Sequence, residues 1–276
     1  MSGLSARQSS FVMAHFQQQK FVADVKSHFP EFFKATRVLE VGSWICNDTV
    51  RTHFQSCDYL GTDVAAGPGV DLVVAGQDIA LPTASFDVVI SCECFEHNPF
   101  WRETFLNMMR VLRPGGLFVL TCATTGRGEH GTTRTTPGLS LTALEQHPDY
   151  YRNLSQRDFE RAIALHEYFS HYLFVTNRYS KDLYFAGCRA SEAPDPTLAD
   201  RMASLRRAAR RINLVQKPTL LRTFAAHAEW WLKWAFVRVV GEPTYHQVRH
   251  LLRPRSSPPN AVVNGAAARD LRERRP

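Results

Sequence analysis

The chain has 276 residues, of which 44% are apolar, and a formal net charge of +7. This length accommodates one α/β domain with extensions. The sequence shows neither a charge-flanked apolar leader nor an apolar run of the roughly 18–20 residues that span a bilayer. We therefore expect a cytoplasmic protein, with peripheral attachment to the inner face of a membrane as an alternative.

The charge is unevenly distributed along the chain. Residues 1–189 contain 17 basic and 19 acidic residues, whereas residues 190–276 contain 16 basic and 7 acidic residues. The basic character therefore belongs to the C-terminal third. The six cysteines lack zinc or redox spacing, so reduced thiols are expected. His246 and His250 have helical spacing but no ligand partners nearby in sequence, so the sequence predicts no metal site.

The N-terminal half predicts alternating strands and helices. A helical segment over residues 5–29 precedes a strand at 37–42, a helix at 48–54, and strands at 59–63, 70–74 and 86–91. A helix over 99–112 is ended by Pro114-Gly115-Gly116, and a strand at 117–123 follows. After a glycine-containing loop at 124–154, a helix capped by Ser155 precedes strands at 172–176 and 183–188. This alternation predicts a doubly wound, Rossmann-like α/β sheet.

Residues 85–121 contain the most specific sequence motifs of the chain. They read SFDVVISCECFEH, then an amphipathic helix, then RVLRPGGLFVLT. This order resembles the class I S-adenosylmethionine-dependent methyltransferases, especially the type 11 group that includes quinone-biosynthesis enzymes. The resemblance implies a seven-stranded sheet closed by an antiparallel pair, with S-adenosylmethionine as cofactor. It divides the chain into a helical cover (1–36), a methyltransferase domain (37–190), a basic helical extension (191–252) and a disordered tail (253–276).

The resemblance also implies a cofactor site at the carboxyl ends of the strands. The family's first strand ends in E-x-G-x-G-x-G; here Trp44 and Cys46 replace the second and third glycines. Ser43 follows the first glycine, as in a known variant of this loop. An acid after the second strand would bind the ribose hydroxyls, and Asp78 or Gln77 would meet adenine. The expected cofactor-binding residues are Glu40, Gly42, Ser43, Asp63, Asp78, Ser91, Cys92 and Glu93. The sequence lacks G-x-G-x-x-G, which disfavours a nicotinamide enzyme.

Methyl transfer needs alignment of the reactants and, for a hydroxyl acceptor, a general base. The candidate catalytic residues are His97 of the Glu-His pair, with His130 and Glu129 on the loop at 124–154. Arg127 and Arg134 on that loop are candidates to hold an anionic or polyhydroxylated acceptor. The predicted function is methyl transfer to the hydroxyl of a small metabolite, sugar or glycan. Lipid or RNA methylation, or a non-catalytic binding module, are the alternatives.

The C-terminal extension permits several interpretations. Residues 201–211 contain five arginines, and residues 220–240 carry an apolar stripe opposite a basic face with Trp230 and Trp234. This pattern is typical of a helix in a membrane interface. It also fits docking on the domain or on a second subunit, which would give a homodimer. Nucleic acid is disfavoured as a partner because no reading motif accompanies the arginines.

Overall fold

The computed structural model describes residues 12–46, 48–135, 137–141, 149–193, 195–212 and 220–251. Its centre is a seven-stranded sheet in the order β3-β2-β1-β4-β5-β7-β6. The strands are β1 (Arg37–Val41), β2 (Asp58–Asp63), β3 (Leu72–Val73), β4 (Phe86–Cys92), β5 (Leu112–Ala123), β6 (Phe169–Asn177) and β7 (Asp182–Arg189). The first five are parallel, and β7 runs antiparallel to both β5 and β6. The predicted fold class and its antiparallel closing pair are confirmed.

Helices cover both faces of this sheet. They are α1 (Val12–His28), α2 (Trp101–Val111), α3 (Gln156–Ala162), α4 (Leu165–Tyr168), α5 (Leu198–Arg210), α6 (Leu220–Val240) and α7 (Glu242–Leu251). The two-residue period of β5 divides the core. Phe118 and Leu120 pack on the side of α2, whereas Leu117 and Val119 pack on the side of α1 and α5.

The prediction of a helix at 48–54 is wrong. Only one 3₁₀ turn forms, Val50–His53, and the Thr49 side chain accepts a hydrogen bond from the Arg51 peptide N–H. Two threonines and a valine in this short segment favour extended backbone over a helix. The first crossover is therefore short, and it leaves the end of β1 open. Asn47, just before this turn, lies outside the described residues.

Other boundaries move by a few residues. The helix predicted at 99–112 begins at Trp101 as α2, and Leu112 already pairs with Phe86 in the sheet. The strand predicted at 70–74 shrinks to the two residues of β3. The start of the predicted segment 5–29, residues 136 and 142–148 of the long loop, and the predicted tail at 253–276 lie outside the described residues.

The C-terminal extension docks on the domain. Helix α5 packs against α1 and β6 through buried Leu198, Met202, Leu205 and Ala209. In the described part of the chain, no helix combines the length and the apolar character needed to cross a bilayer. All six cysteines are free thiols; Cys122 and Cys188 are buried, whereas Cys46 is exposed.

Candidate active site

A cavity of about 670 Å³ opens at the carboxyl ends of β1, β2, β4 and β5. The strand order reverses between β1 and β4, and ligands of open α/β sheets bind at such a switch point. Gln17 and Gln18 of α1 line one side of the cavity. Residues of α6 and α7 line the opposite side. The C-terminal extension is therefore part of the site.

The loop after β1 explains how the chain tolerates a tryptophan at a glycine position. Gly42 has a φ of +81°, and a Cβ atom there would lie 2.4 Å from the Cβ of Cys94. Only glycine fits this position. The ring of Trp44 lies beside Gly67, where an added Cβ would come within 2.7 Å of its Cδ1 atom. The ring thus packs against the loop after β2 while still lining the cavity.

Asp63, at the end of β2, lines the cavity in the position predicted for the ribose ligand. Its Oδ1 accepts a hydrogen bond from the peptide N–H of Val64 (2.8 Å), and its Oδ2 accepts one from Trp44 (3.1 Å). Burial raises the pKa of the Asp63 carboxyl, and the two amides oppose this effect. These bonds fix the carboxylate toward the cavity edge with acceptor capacity to spare.

The other expected cofactor residues divide into two groups. Gly42, Cys92 and Glu93 line the cavity, whereas Glu40, Ser43, Asp78 and Ser91 do not. The carboxylate of Glu40 is buried behind β2, where it accepts a hydrogen bond from the Tyr59 hydroxyl (2.9 Å). Burial raises the pKa of Glu40 to about 7. The Ser91 hydroxyl donates to the Val41 carbonyl (2.7 Å), so it holds β4 against β1.

At the predicted adenine turn, Asp78 and Gln77 differ in their exposure to the cavity. Asp78 is exposed, whereas Gln77 lines the cavity.

Glu93 has a left-handed backbone with a φ of +54°, and its Oε1 accepts a hydrogen bond from the Thr121 hydroxyl (3.0 Å). Non-glycine residues adopt this conformation at a cost, and such strain clusters at functional sites. The sequence alone gave no indication of it.

The far end of the cavity contains a cluster of aromatic and histidine rings. The ring centroids of His97 and His130 lie 5.0 Å apart, and Tyr151 lies 5.4 Å from His97 and 5.0 Å from His130. Burial lowers the pKa of His97 well below its usual range, and the positive charge of Arg127 adds to burial in lowering that of His130 to about 4. Both imidazoles are therefore neutral at pH 7.

Two other residues of the long loop are held by ion pairs. Arg127 donates to Asp182 Oδ1 (2.7 Å) and to the Ser180 carbonyl (2.8 Å). Burial raises the pKa of Asp182, the charge of Glu93 acts in the same direction, and the charge of Arg127 opposes both. Glu129 Oε1 accepts hydrogen bonds from the Arg134 guanidinium (2.8 Å) and from the Thr132 hydroxyl (2.7 Å). Glu129 therefore stabilises the loop through these hydrogen bonds. Its engaged carboxylate does not favour the predicted role of Glu129 as a general base.

Helices α6 and α7 close this end of the cavity. The Tyr245 hydroxyl donates to the Gly126 carbonyl (3.1 Å), and the Arg249 guanidinium lies against Gly128. Glu229 pairs with Lys233 and, at 3.6 Å, with Lys181. Lys181, Glu229, Lys233 and Arg249 all line the cavity. Sequence analysis did not predict these four residues, because their approach to the cavity depends on long-range packing that no local pattern reports.

The structure also brings together a group that sequence analysis did not connect. Glu96, His97 and His130 each offer a ligand atom, and these atoms lie within 4.8 Å of one another. Glu96 and His97 belong to the 3₁₀ turn after β4, and His130 belongs to the loop after β5. The two segments meet because β4 and β5 are adjacent parallel strands.

Comparison with known proteins agrees with the topology. Residues 48–120 match a family model described as a methyltransferase domain. Over these residues the chain is therefore similar to a methyltransferase domain. The matched residues run from the turn after β1 to β5, and they include Asp63, Glu93 and His97. No curated protein matches the chain.

Several solved methyltransferase structures are similar to this chain at low values. The CurJ carbon methyltransferase is 13% identical, with a TM-score of 0.45; the alignment covers 62% of this chain but only 54% of CurJ. The 1,6-didemethyltoxoflavin-N1-methyltransferase of Burkholderia thailandensis is 11% identical over 69% of this chain and 94% of its own, with a TM-score of 0.45. A SAM-dependent methyltransferase of Thermotoga maritima is 13% identical over 65% and 92%, with a TM-score of 0.42. At these values the neighbours carry no argument about the acceptor.

Proposed function

We propose that this methyltransferase domain transfers a methyl group from S-adenosylmethionine to a hydroxyl of a small anionic metabolite, such as a sugar acid or a sugar phosphate. The observation that carries the proposal is a single cavity with Asp63 at one end and a histidine and cation cluster at the other. Asp63, Gly42, Gln77 and Glu93 are the residues available to hold the cofactor. When bound, S-adenosylmethionine supplies an activated methyl group, so the chain's own residues must mainly orient the acceptor and exclude water.

The charges at the acceptor end support an anionic acceptor. Lys181, Lys233 and Arg249 line this part of the cavity, with Glu229 among them as a counter-charge. Burial lowers the pKa of Lys181, and the charge of Lys233 acts in the same direction. A carboxylate or phosphate on the acceptor would relieve this repulsion through charge-assisted hydrogen bonds.

The covered acceptor end supports a small acceptor over RNA. Helices α6 and α7 lie across the loop at 126–128, where Tyr245 and Arg249 contact it. A base flipped from a polynucleotide would need an open channel for the flanking backbone. Neutral His97 and His130 can accept a hydrogen bond from a hydroxyl. With a pKa of about 4, however, His130 alone is a weak proton acceptor at pH 7.

Calorimetric titration with S-adenosylmethionine and S-adenosylhomocysteine tests the cofactor site. Asp63→Ala removes the ribose acceptor and should weaken both ligands at least about tenfold, as expected for loss of hydrogen bonds to a charged group. Asp58→Ala is the matched control, because Asp58 lies exposed at the opposite end of β2. Equal affinity in the two variants, or no binding by the folded wild-type chain, would overturn the cofactor assignment and favour a non-catalytic module.

For α6 we also propose contact with an anionic membrane surface. The helix docks on the domain through its basic, tryptophan-bearing side: Trp230 is buried beneath Arg178, whose guanidinium lies 4.8 Å from the ring centroid. The predicted apolar stripe faces outward instead. Its exposed members are Trp231, Leu232, Phe236 and Val239. Residues 190–276, which include α6, contain 16 basic and 7 acidic residues. An outward apolar stripe in such a basic segment fits an interfacial helix.

A further inference from the structure

We propose that Glu96, His97 and His130 bind a divalent transition-metal ion, for which Zn²⁺ is the probe. The argument begins with Glu96. Its side chain is fully buried, and neither carboxylate oxygen receives a hydrogen bond from the residues that the structure describes. The peptide groups of Glu96 and Ala123 lie near the carboxylate but complete no hydrogen bond with it. A buried carboxyl without a partner is costly in either protonation state.

Arg127, whose positive charge acts on Glu96, is already engaged. It directs its Nη1 atom to Asp182 and to the Ser180 carbonyl. It therefore supplies Glu96 with no direct ion pair. A second polar atom in the cluster is also unpartnered: Nδ1 of His97 is buried and hydrogen-bonded to none of the described residues. Two ligand-type side chains, each more than nine-tenths buried, thus lack partners at one point.

The tautomer of His130 strengthens this inference. Its Nδ1 lies 3.1 Å from the Gly128 carbonyl oxygen, so Nδ1 carries the hydrogen and donates. The lone pair of the neutral ring is then on Nε2, which lies 3.9 Å from Glu96 Oε1. When Glu96 is ionised, two hydrogen-bond acceptors therefore face each other. A cation between them resolves this contact, and a ligating histidine commonly donates its other N–H to a backbone carbonyl.

The donor set fits a specific class of metal. Two imidazoles with one carboxylate bind Zn²⁺ in catalytic sites, which keep a fourth position for water or substrate. The same set with open positions also suits other divalent transition metals. Zinc ligands at about 2.0–2.2 Å from the ion lie roughly 3.4 Å from one another. The present ligand atoms lie within 4.8 Å of one another, so they must move closer together to close around an ion.

The backbone at Gly131, in the loop after β5, places His130 next to His97. Gly131 has a φ of +63°, and a Cβ atom there would lie 2.7 Å from Cε1 of His97. Glycine at this position allows the loop to close over the His97 ring. His97 and His130 both line the cavity. An acceptor hydroxyl bound at the open position would lose its proton to solvent more readily; this consequence, unlike metal binding itself, rests on the proposed function.

Direct metal titration tests the proposal without an acceptor or cofactor. The untagged chain, freed of metal with a chelator, is titrated with Zn²⁺ against a chromophoric competitor. We expect one ion per chain with a dissociation constant of about 1 μM or lower, and a rise in the melting temperature with Zn²⁺. Co²⁺ should give a visible spectrum of nitrogen and oxygen ligands in a site with an open position.

Three variants make this test specific. Glu96→Gln, His97→Asn and His130→Asn should each weaken Zn²⁺ at least about tenfold. His166→Gln on α4 is the control, because His166 is exposed outside the cluster. Circular dichroism checks folding, and His130→Asn is the mildest of the three variants because the His130 side chain is partly exposed. Zn²⁺ binding that survives in folded His130→Asn, or that is no tighter than exposed histidines provide, would overturn the proposal even if S-adenosylmethionine binds normally.

Discussion

Glu40 shows how burial changes the behaviour of a motif residue. Its carboxyl is buried behind β2, and burial raises its pKa to about 7 against an ordinary value of 4.5. Between these two pH values the folded chain binds one proton more than the unfolded chain. The free energy of unfolding therefore falls as pH rises. The stabilising contribution is complete below pH 4.5 and lost above pH 7.

Glu40→Gln should remove this pH dependence. The amide oxygen can still accept the hydrogen bond of Tyr59, whereas the variant has no proton to lose. We expect the variant to gain stability relative to wild type as pH rises from 4.5 to 8, by an amount on the order of 3 kcal/mol. Urea unfolding at several pH values measures the difference. Exposed Glu103→Gln on α2 is the control, and parallel curves for wild type and Glu40→Gln would contradict the prediction.

At the residue scale, position relative to a strand end was predictable and long-range pairing was not. Asp63 follows a strand directly, so the sheet alone places it at the ligand edge. Glu96 and His130 are separated by a helix, a strand and a loop without periodicity. Their approach depends on the backbone of Gly131, which no spacing rule reports. The site residues on α6 and α7 were missed for the same reason.

Helix α6 supplies the element-scale test of the acceptor site. Lys233 faces the cavity and pairs with Glu229, whereas Arg238 on the same helix is exposed and stacks over Trp234, with its guanidinium 5.3 Å from the ring centroid. Lys233→Gln should weaken binding of an anionic acceptor about tenfold, because a charge-assisted hydrogen bond contributes roughly 1.5–3 kcal/mol. Affinity for S-adenosylhomocysteine should not change.

Binding of small probes measures this effect. Glucuronate, glucose 6-phosphate and neutral glucose are titrated into the chain saturated with S-adenosylhomocysteine. We expect the anionic sugars to bind more tightly than glucose, and this preference to shrink in Lys233→Gln but not in Arg238→Gln. A preference for glucose in the wild-type chain, or an equal loss in both variants, would count against an anionic acceptor.

At the element scale, the strands and α2 were predictable because their apolar periods of two and 3.6 residues are strong. The 3₁₀ turn at Val50–His53 was not, because a helix was expected there from the family pattern. The docking side of α6 was also not predictable. The apolar stripe faces outward. The side of α6 that packs on the domain is the one that carries Trp230, whose ring is buried beneath the Arg178 guanidinium.

At the scale of the whole molecule, α6 has two faces with different roles. One closes the cavity through Lys233, and the other exposes Leu232 (73%) and Val239 (84%). Apolar side chains this exposed on one helix face mark an interaction surface. The excess of basic residues in 190–276 favours an anionic lipid surface over a second copy of the chain, because two copies would repel each other.

Vesicle sedimentation distinguishes these two partners. We expect the chain to bind vesicles containing phosphatidylglycerol, to bind those of pure phosphatidylcholine weakly, and to be released by salt as the charges are screened. The double variant Leu232→Glu/Val239→Glu should lose binding because two carboxylates would enter the lipid interface. Val73→Glu is the matched control, since Val73 is 53% exposed on the edge strand β3. If vesicles do not bind and light scattering shows a dimer that the double variant abolishes, the exposed stripe is a subunit interface instead.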